Sequence, residues 1–409
     1  MAIDLVLSPR DGLTLKDARG FDLAGGVTAS GLPWPGPRTT AGAARTVIGR
    51  LQGLSQTYGE DRDAWQSILG QVTVHGPMVV TRPIDAERWF PLWPAPQDAL
   101  RLPHPKTGQR DAPDARIHWL EPRPRDVVRW RARGLWTDQP EEVAATEGLW
   151  LPIPDERIKP LSPRLLWSHD ETVDWLRGPQ SHDERASPQP KQRVDTHVGL
   201  DPATLAAKDE YLFAHATSEP LIAGARRVIY ELGLALRING VPEGQDITAP
   251  IWRIGGEGRF ASAKILPSEV LAAPDRLADH WDESRFLRLL LVTPAYFNTG
   301  WRPDWLAPTA TEEGYRFQGI LPGINRLVAL RSAFLDRACW ISGWDLLSQK
   351  PKPSVACVAA GTVYYLESLS APFTSTDIQS LWLSSIQQAG DAIRDGFGLI
   401  LPGAWPVSI

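Results

Sequence analysis

The run Arg193-Val194-Asp195-Thr196-His197-Val198-Gly199-Leu200-Asp201 sets a histidine between two carboxylates. Imidazole titrates near neutral pH, so this pattern suits general acid–base work or one corner of a metal site. Strand alternation puts Asp195 and His197 on one face. A metal site needs further ligands, and no other His, Cys or carboxylate group has ligand spacing. The run reads as a structural histidine beside a turn. His169-Asp170 and His182-Asp183 are His-Asp pairs of the kind used by metal-dependent phosphohydrolases. Those enzymes carry the pair in a helical bundle with more ligands, whereas both lie here in Pro-rich, irregular sequence. No Gly-x-Ser-x-Gly elbow occurs. The expectation is no catalytic residue, no metal and no cofactor.

Glycine clusters offer a different chemistry. Asp395-Gly396-Phe397-Gly398-Leu399-Ile400-Leu401-Pro402-Gly403 enters the last strand of the chain. Glycine lets a backbone approach a phosphate and aim N–H groups at it. The same glycines also serve as a helix C-cap and a tight strand entry. Gly255-Gly256-Glu257-Gly258-Arg259 sits between two strand-like runs and reads as a hairpin turn, with Arg259 and Lys264 available to a nucleic-acid groove. The 18 tryptophans are candidate base-stacking rings; the Pro-flanked ones, Trp34, Trp93, Trp301 and Trp305, are the expected exposed platforms and most others the expected core.

The elements that must carry these residues follow from periodicity. Residues 2–7 predict a strand, 20–38 a turn-rich loop, and Thr39 or Thr40 the cap of a helix burying Ala44, Val47, Ile48, Leu51 and Leu54, with Arg45 and Arg50 on other faces. Residues 71–81 predict a kinked strand. From 82 to 192 the chain is Pro-rich, with nine cations against four acids between 100 and 134, and 178–193 reads as an exposed, mobile loop. Beyond 218 the pattern regularises: strands at 226–238, 286–293, 334–344, 354–367 and 397–401, short helices within 267–284, and an amphipathic helix at 376–389 capped by Thr376. The order β-α-β-β-α-β is the ferredoxin-like unit, and the N-terminal half reads as a second, interrupted copy. The fold class is α+β.

Composition bounds the rest. Of 409 residues 43% are hydrophobic, enough for real cores, and 37 prolines with 34 glycines predict short elements and long loops. The net charge of −5 excludes a chain-wide basic coat but leaves room for a local basic groove. Two cysteines, Cys339 and Cys357, cannot build a disulfide framework and are expected as reduced thiols. The first residues lack a charged leader pattern and no stretch is long enough to span a membrane, so a cytoplasmic protein without membrane contact is expected.

An ordered set of blocks resembles one family. It comprises Ser8-Pro-Arg-Asp-Gly12, Asp17-Ala-Arg-Gly-Phe21, Gly25-Gly26, Leu32-Pro-Trp-Pro35, Thr39 to Arg45, Arg193 to Asp201, Tyr211-Leu-Phe213, Gly255 to Arg259, Ile341 to Asp345, Lys350 to Pro353, Ala360 to Tyr365 and Gly396 to Gly403. The family is the RAMP subunit at the 5′ end of the guide RNA in type III-B (Cmr) CRISPR effector complexes, subunit three of that assembly. Residues 82–192 match it poorly. The resemblance implies two ferredoxin-like, RNA-recognition-type (RRM-type) RAMP domains with long loop insertions. These are 1–218, interrupted at 82–192, and 219–409, carrying a glycine-rich RNA-approaching loop at 396–403. It implies a noncatalytic subunit that binds the 5′ tag of the CRISPR RNA. Its partners are the large polymerase-like effector subunit and the adjacent RAMP backbone subunit, in antiviral defence. Candidate RNA contacts are then Arg19, Gly25, Gly26, Arg38, Arg45, Arg193, His197, Gly256, Arg259, Lys264, Lys350, Lys352, Gly396, Gly398 and Gly403. The alternatives are a metal-independent RAMP endoribonuclease maturing guide RNA, with His197 or His75 as base, the equivalent tag-binding subunit of another type III subtype, and a protein–protein adaptor.

Overall fold

The computed structural model describes residues 2–15, 28–29, 32–55, 60–104, 115–124, 148–152, 159–224, 227–278, 281, 283–311, 314–345, 347–388 and 390–407. The chain is a strand-rich mixed α/β protein with few helices.

The first sheet is built on β1 (Ala2–Pro9), β2 (Thr73–Pro83), β6 (Ile229–Asn239) and β8 (Phe260–Ile265). They lie in the order β2-β6-β1-β8, every neighbour antiparallel. β3 (Phe90–Pro94) extends it beyond β2, and β7 (Trp252–Arg253) closes the far edge. β1 is apolar on both faces because both are covered. Leu5 and Leu7 pack with α1 (Pro37–Leu51) and α2 (Arg62–Gln71), through Ala44, Val47, Ile48, Trp65 and Ile68. Val6, with Met78, Val80 and Ala235, joins the core of the C-terminal half.

The second sheet has the order β10-β11-β12-β15-β9-β16. Its strands are β9 (Phe286–Leu291), β10 (Ala307–Thr311), β11 (Gly314–Leu321), β12 (Arg326–Phe334), β15 (Val363–Ser368) and β16 (Ile400–Ala404). Numbering its four core strands along the chain gives the same spatial order as the first sheet, second–third–first–fourth. The crossovers differ. The first sheet has helices between its first and second strands. The second, preceded by the short α4 (Asp275–Ala278), has the β10–β11 hairpin there and places α5 (Ser375–Leu381) and α6 (Gly390–Asp395) before its last strand. Two hairpins stand apart from both sheets: β4 (Lys191–Leu200) with β5 (Ala207–Glu219), and β13 (Cys339–Asp345) with β14 (Lys350–Cys357).

Several expectations are corrected. α1 starts at Pro37, with Gly36 as N-cap and no side-chain cap; proline supplies the preset φ of a first helical residue. The helix expected at 376–389 is only α5, capped by a Thr374–Asp377 capping box. Leu383 then takes a left-handed φ of 55°, and its N–H donates to the Ile400 carbonyl, so the chain joins the sheet instead of continuing the helix. The strands expected at 334–344 and 354–367 each break in two. The second breaks at Gly361, whose φ of 92° and closeness to the Ala95 carbonyl (2.6 Å from a Cβ placed there) leave room for glycine alone.

Residues 82–192 are less irregular than expected. Strands Ala99–Pro103, Ala115–Trp119 and His182–Asp183 form a small sheet beside α3 (His169–Arg177). Residues 178–190, expected to be a mobile loop, are tethered. Gln189 bonds the Leu166 amide and carbonyl, Arg101 holds Glu184 at 2.7 and 2.8 Å, and His182 reaches Glu171 at 3.3 Å. The segment packs on the C-terminal sheet through one buried network. The Asp98 carboxylate accepts from Arg288 (2.7 Å), Tyr365 (2.6 Å) and Trp175 (3.0 Å), while Arg288 also donates to the Ala404 and Trp175 carbonyls. Burial and the Asp98 charge hold the Tyr365 hydroxyl far above its ordinary pKa. Every charge in this group is met, which is the condition for burying one.

Candidate nucleic-acid interface

Helix α1 buries Ala41, Ala44, Val47 and Ile48. That choice of face leaves Arg38, Gly42, Thr46 and Arg50, at four-residue spacing, along one wall of a groove of about 360 Å³. The facing wall is Arg253, Gly255 and Gly256 from the β7–β8 hairpin, and Gly343 with Trp344 closes one end. Among the described residues three arginines and no acidic side chain line this groove, while Asp345 and Asp395 line the adjoining cavity that shares Arg38 and Trp344. Thr14 lies on the groove, 1% exposed, with Oγ1 lacking a hydrogen-bond partner among the described residues.

The glycines of the wall have a local cause. Gly255 has φ of 76°, and a Cβ there would stand 3.0 Å from the Thr14 carbonyl, which accepts from the Gly256 N–H at 2.9 Å. Glu257 and Gly258 follow with φ of 59° and 65°, completing the expected hairpin turn. Both exposed glycines keep the wall thin, so a ligand backbone can come close.

Arg38 fixes the end of the groove. It donates to the Pro353 carbonyl at 3.1 Å and lies 5.9 Å from the Tyr296 ring centroid and 5.8 Å from that of Phe397. Gly343 lets the hairpin β13–β14 pass close to the Arg38 stem. Beside it stands Trp344, 53% exposed. The expected Pro-flanked platforms are otherwise: Trp93 and Trp305 are core residues, and Trp34 and Trp301 are partly buried against cores.

The other expected contacts divide. Arg19, Gly25 and Gly26 lie outside the described residues. Arg45 is corrected: it is 5% exposed, bonded to the Val72 and Arg394 carbonyls and to the Asp395 carboxylate, and so ties α1 to α6. Gly396, Gly398 and Gly403 are corrected too. All are buried. A Cβ on Gly396 would lie 2.5 Å from the Val74 carbonyl, on Gly398 2.8 Å from Gln387, and on Gly403 2.8 Å from Leu176. In this fold these glycines let segments of the protein itself pack closely against one another. Arg193 is exposed but paired with Asp195 and Glu219, and Arg259 meets Glu257 at 3.4 Å. Lys264 is exposed on β8 and is not on the groove; Lys350 is exposed at the start of β14. Lys352 lines a small cavity behind Trp344, next to Arg38. Sequence reasoning missed Arg50, Arg253, Thr14 and Trp344; the local signal was cations flanking a glycine turn and four-residue spacing on α1.

His197 stacks on His215, with centroids 4.5 Å apart and planes at 10°. His215 is 4% exposed, and Glu257 lies 3.8 Å from its Nε2. His75 is held below its ordinary pKa by burial and then by Arg237, which favours a neutral ring. Among the described residues no three His, Cys, Asp or Glu side chains are grouped to hold a metal, and no helix is long and apolar enough to cross a membrane.

The chain matches the family described as CRISPR-associated protein (Cas_Cmr3) over residues 5–405. This agrees with the family resemblance carried by the ordered blocks. No curated protein sequence matches it. Among solved structures, it is similar to a chain of a type III-B Cmr-β complex bound to cognate target RNA and AMPPnP, seen by electron cryomicroscopy. The identity is 13%, the TM-score 0.42, and 88% of this chain and 86% of that chain are covered. A second, bound to cognate target RNA, has 13% identity, a TM-score of 0.41 and the same coverage.

Proposed function

This chain belongs to the Cas_Cmr3 family of CRISPR-associated proteins, and from that membership we propose a noncatalytic subunit of a type III-B RNA-guided ribonucleoprotein that holds the 5′ tag of the CRISPR RNA in the α1 groove. The observation that carries the reading is the groove itself: Arg38, Arg50 and Arg253 with no acid among the described lining residues, in a protein of net charge −5. Phosphates lie along the arginines, exposed Gly255 and Gly256 admit the RNA backbone, and a splayed base stacks on Trp344. Single-stranded RNA is bound in this way, with each stacked base worth about 1–3 kcal/mol.

Two ferredoxin-like RAMP domains are the reading we give the two sheets, supported by their shared second–third–first–fourth strand order; the expected division at 218 and 219 is corrected, because β6 and β8 complete the first sheet, and the division falls between Ile265 and Phe286. The large polymerase-like subunit and the adjacent RAMP backbone subunit are the proposed partners. A noncatalytic role is supported by the histidines: cleavage by a 2′-hydroxyl needs a base, an acid and a charge stabiliser together, and neither His75 nor His197 lies on the groove.

The test is co-expression with the neighbouring effector subunits, purification on this chain, and sequencing of the bound RNA. A discrete guide RNA, intact and unchanged in length in His197→Ala and His75→Ala, supports the reading. A complex without RNA contradicts it, and repeat RNA left unprocessed in either histidine variant restores the endoribonuclease.

A further inference from the structure

The chain has two cysteines in 409 residues, and the fold sets them face to face. Cys339 opens β13, Cys357 ends β14, and they are register partners in the antiparallel ladder. Directly opposed residues in such a ladder have Cα atoms about 4.5–5.5 Å apart. A disulfide needs about 4.4–6.8 Å, so a bond can form here without moving the strands. The thiols also differ in access: Cys357 is 1% exposed, while Cys339 is only partly buried.

We propose that Cys339 and Cys357 are a reversible dithiol–disulfide site that clamps the base of the β13–β14 hairpin. The oxidant is a small-molecule disulfide of the glutathione class. The accessible Cys339 thiolate attacks one of its sulfurs, forms a mixed disulfide and expels one small thiolate. Cys357, giving up its proton, then attacks the Cys339 sulfur and expels the second. One S–S bond is made in the protein and one is broken in the oxidant. Two protein thiols are oxidised, and their two protons end on the two released small thiols. The order of attack agrees with the local electrostatics: the hydrogen bond from Cys357 lowers the pKa of Cys339, whereas Cys357 itself is pushed up by that contact and by burial.

The clamp closes a loop that carries Gly343 and Trp344, the end of the groove, and Lys352 behind it. The hairpin hydrogen-bonds only to itself as a sheet among the described residues; Arg38 holds it from outside through the Pro353 carbonyl, and Ile341 and Cys357 pack it against Phe397. Disulfide formation does not depend on RNA and is tested without it.

The full chain is equilibrated with reduced and oxidised glutathione in defined ratios, then acid-quenched, and its free thiols and linked peptides are measured, in buffer and again in urea. The folded chain should lose both thiols together and yield the Cys339–Cys357 peptide. Its effective thiol concentration should be at least about tenfold above the millimolar value of the unfolded loop. Cys357→Ser should stop at the mixed disulfide on Cys339, and Cys339→Ser should react far more slowly. An effective concentration in the folded chain equal to or below that in urea, or glutathione adducts without the internal bond, would overturn the proposal. Guide-RNA affinity of the two redox forms, measured separately, then reports whether the clamp reaches the groove; equal affinities confine it to the hairpin.

Discussion

Replacing Arg50 and Arg253 together by alanine removes two of the three cations that line the groove among the described residues, without touching its supports. Both side chains are exposed, whereas Arg38 holds the hairpin and is left in place. Each phosphate neutralised on a single strand contributes about 0.7 to the slope of log K against log salt, so the pair should lower that slope by about 1.4. At about 0.15 M salt this is roughly a tenfold loss of affinity, shrinking as salt rises. The assay is titration of labelled guide RNA onto effector assembled with wild-type or variant chain, over a range of salt. Contacts from neighbouring subunits enter both slopes equally and cancel in the difference. Arg259→Ala is the internal control, because Glu257 already meets its charge. An unchanged slope in the double variant, or an equal fall in the control, would refute the assignment of the groove.

Asp98→Ala should destabilise the C-terminal half by about 3–5 kcal/mol, since it strands the buried Arg288 guanidinium; urea unfolding of the full chain measures it, and a loss under 1 kcal/mol, as expected of an exposed ion pair, would show the network to be dispensable. Gly396→Ala should also destabilise the fold, because its Cβ meets the Val74 and Gly76 backbone at a φ of 89°; a variant with the wild-type urea midpoint would show that this junction yields. The Glu171 hydrogen bond raises the His182 pKa above its ordinary 6.5. Its stabilisation is therefore full below about pH 6.5 and lost as pH rises through the folded pKa. Wild type minus His182→Gln, compared by urea midpoint at acid and alkaline pH, should show that loss, and a pH-independent difference would contradict it.

β1 and β9 were readable from sequence because short apolar runs dominate them, and β6 because its residues alternate as in a half-buried strand. The hairpin β13–β14 was not. Its strands abut β12 and β15 in sequence, and the break at Gly361 is set by the Ala95 carbonyl far away in the chain. Arg45 and Arg50 show the same limit within one helix. Periodicity marks Ala44, Val47 and Ile48 as buried but leaves both arginines polar. Only Asp395, 350 residues distant, explains why Arg45 turns inward. The glycines at 396–403 misled for a related reason. A close backbone approach was correctly inferred, but its partner is protein, and nothing local distinguishes a strand from a phosphate. The turn at Gly255 and Gly256 was legible because it is local, whereas Arg38, which the sequence left in the loop before the helix, came only from the family resemblance.

The central claim is that the RNA 5′ tag lies in the α1 groove, and photo-crosslinking tests it most directly. Guide RNA carrying photoreactive bases within its tag would be assembled into the full effector complex, irradiated, and the crosslinked peptides identified. Adducts on the peptides bearing Trp344, Arg253 or Arg50 are the predicted result. Tag adducts confined to other surfaces of this chain, or to other subunits alone, would contradict it.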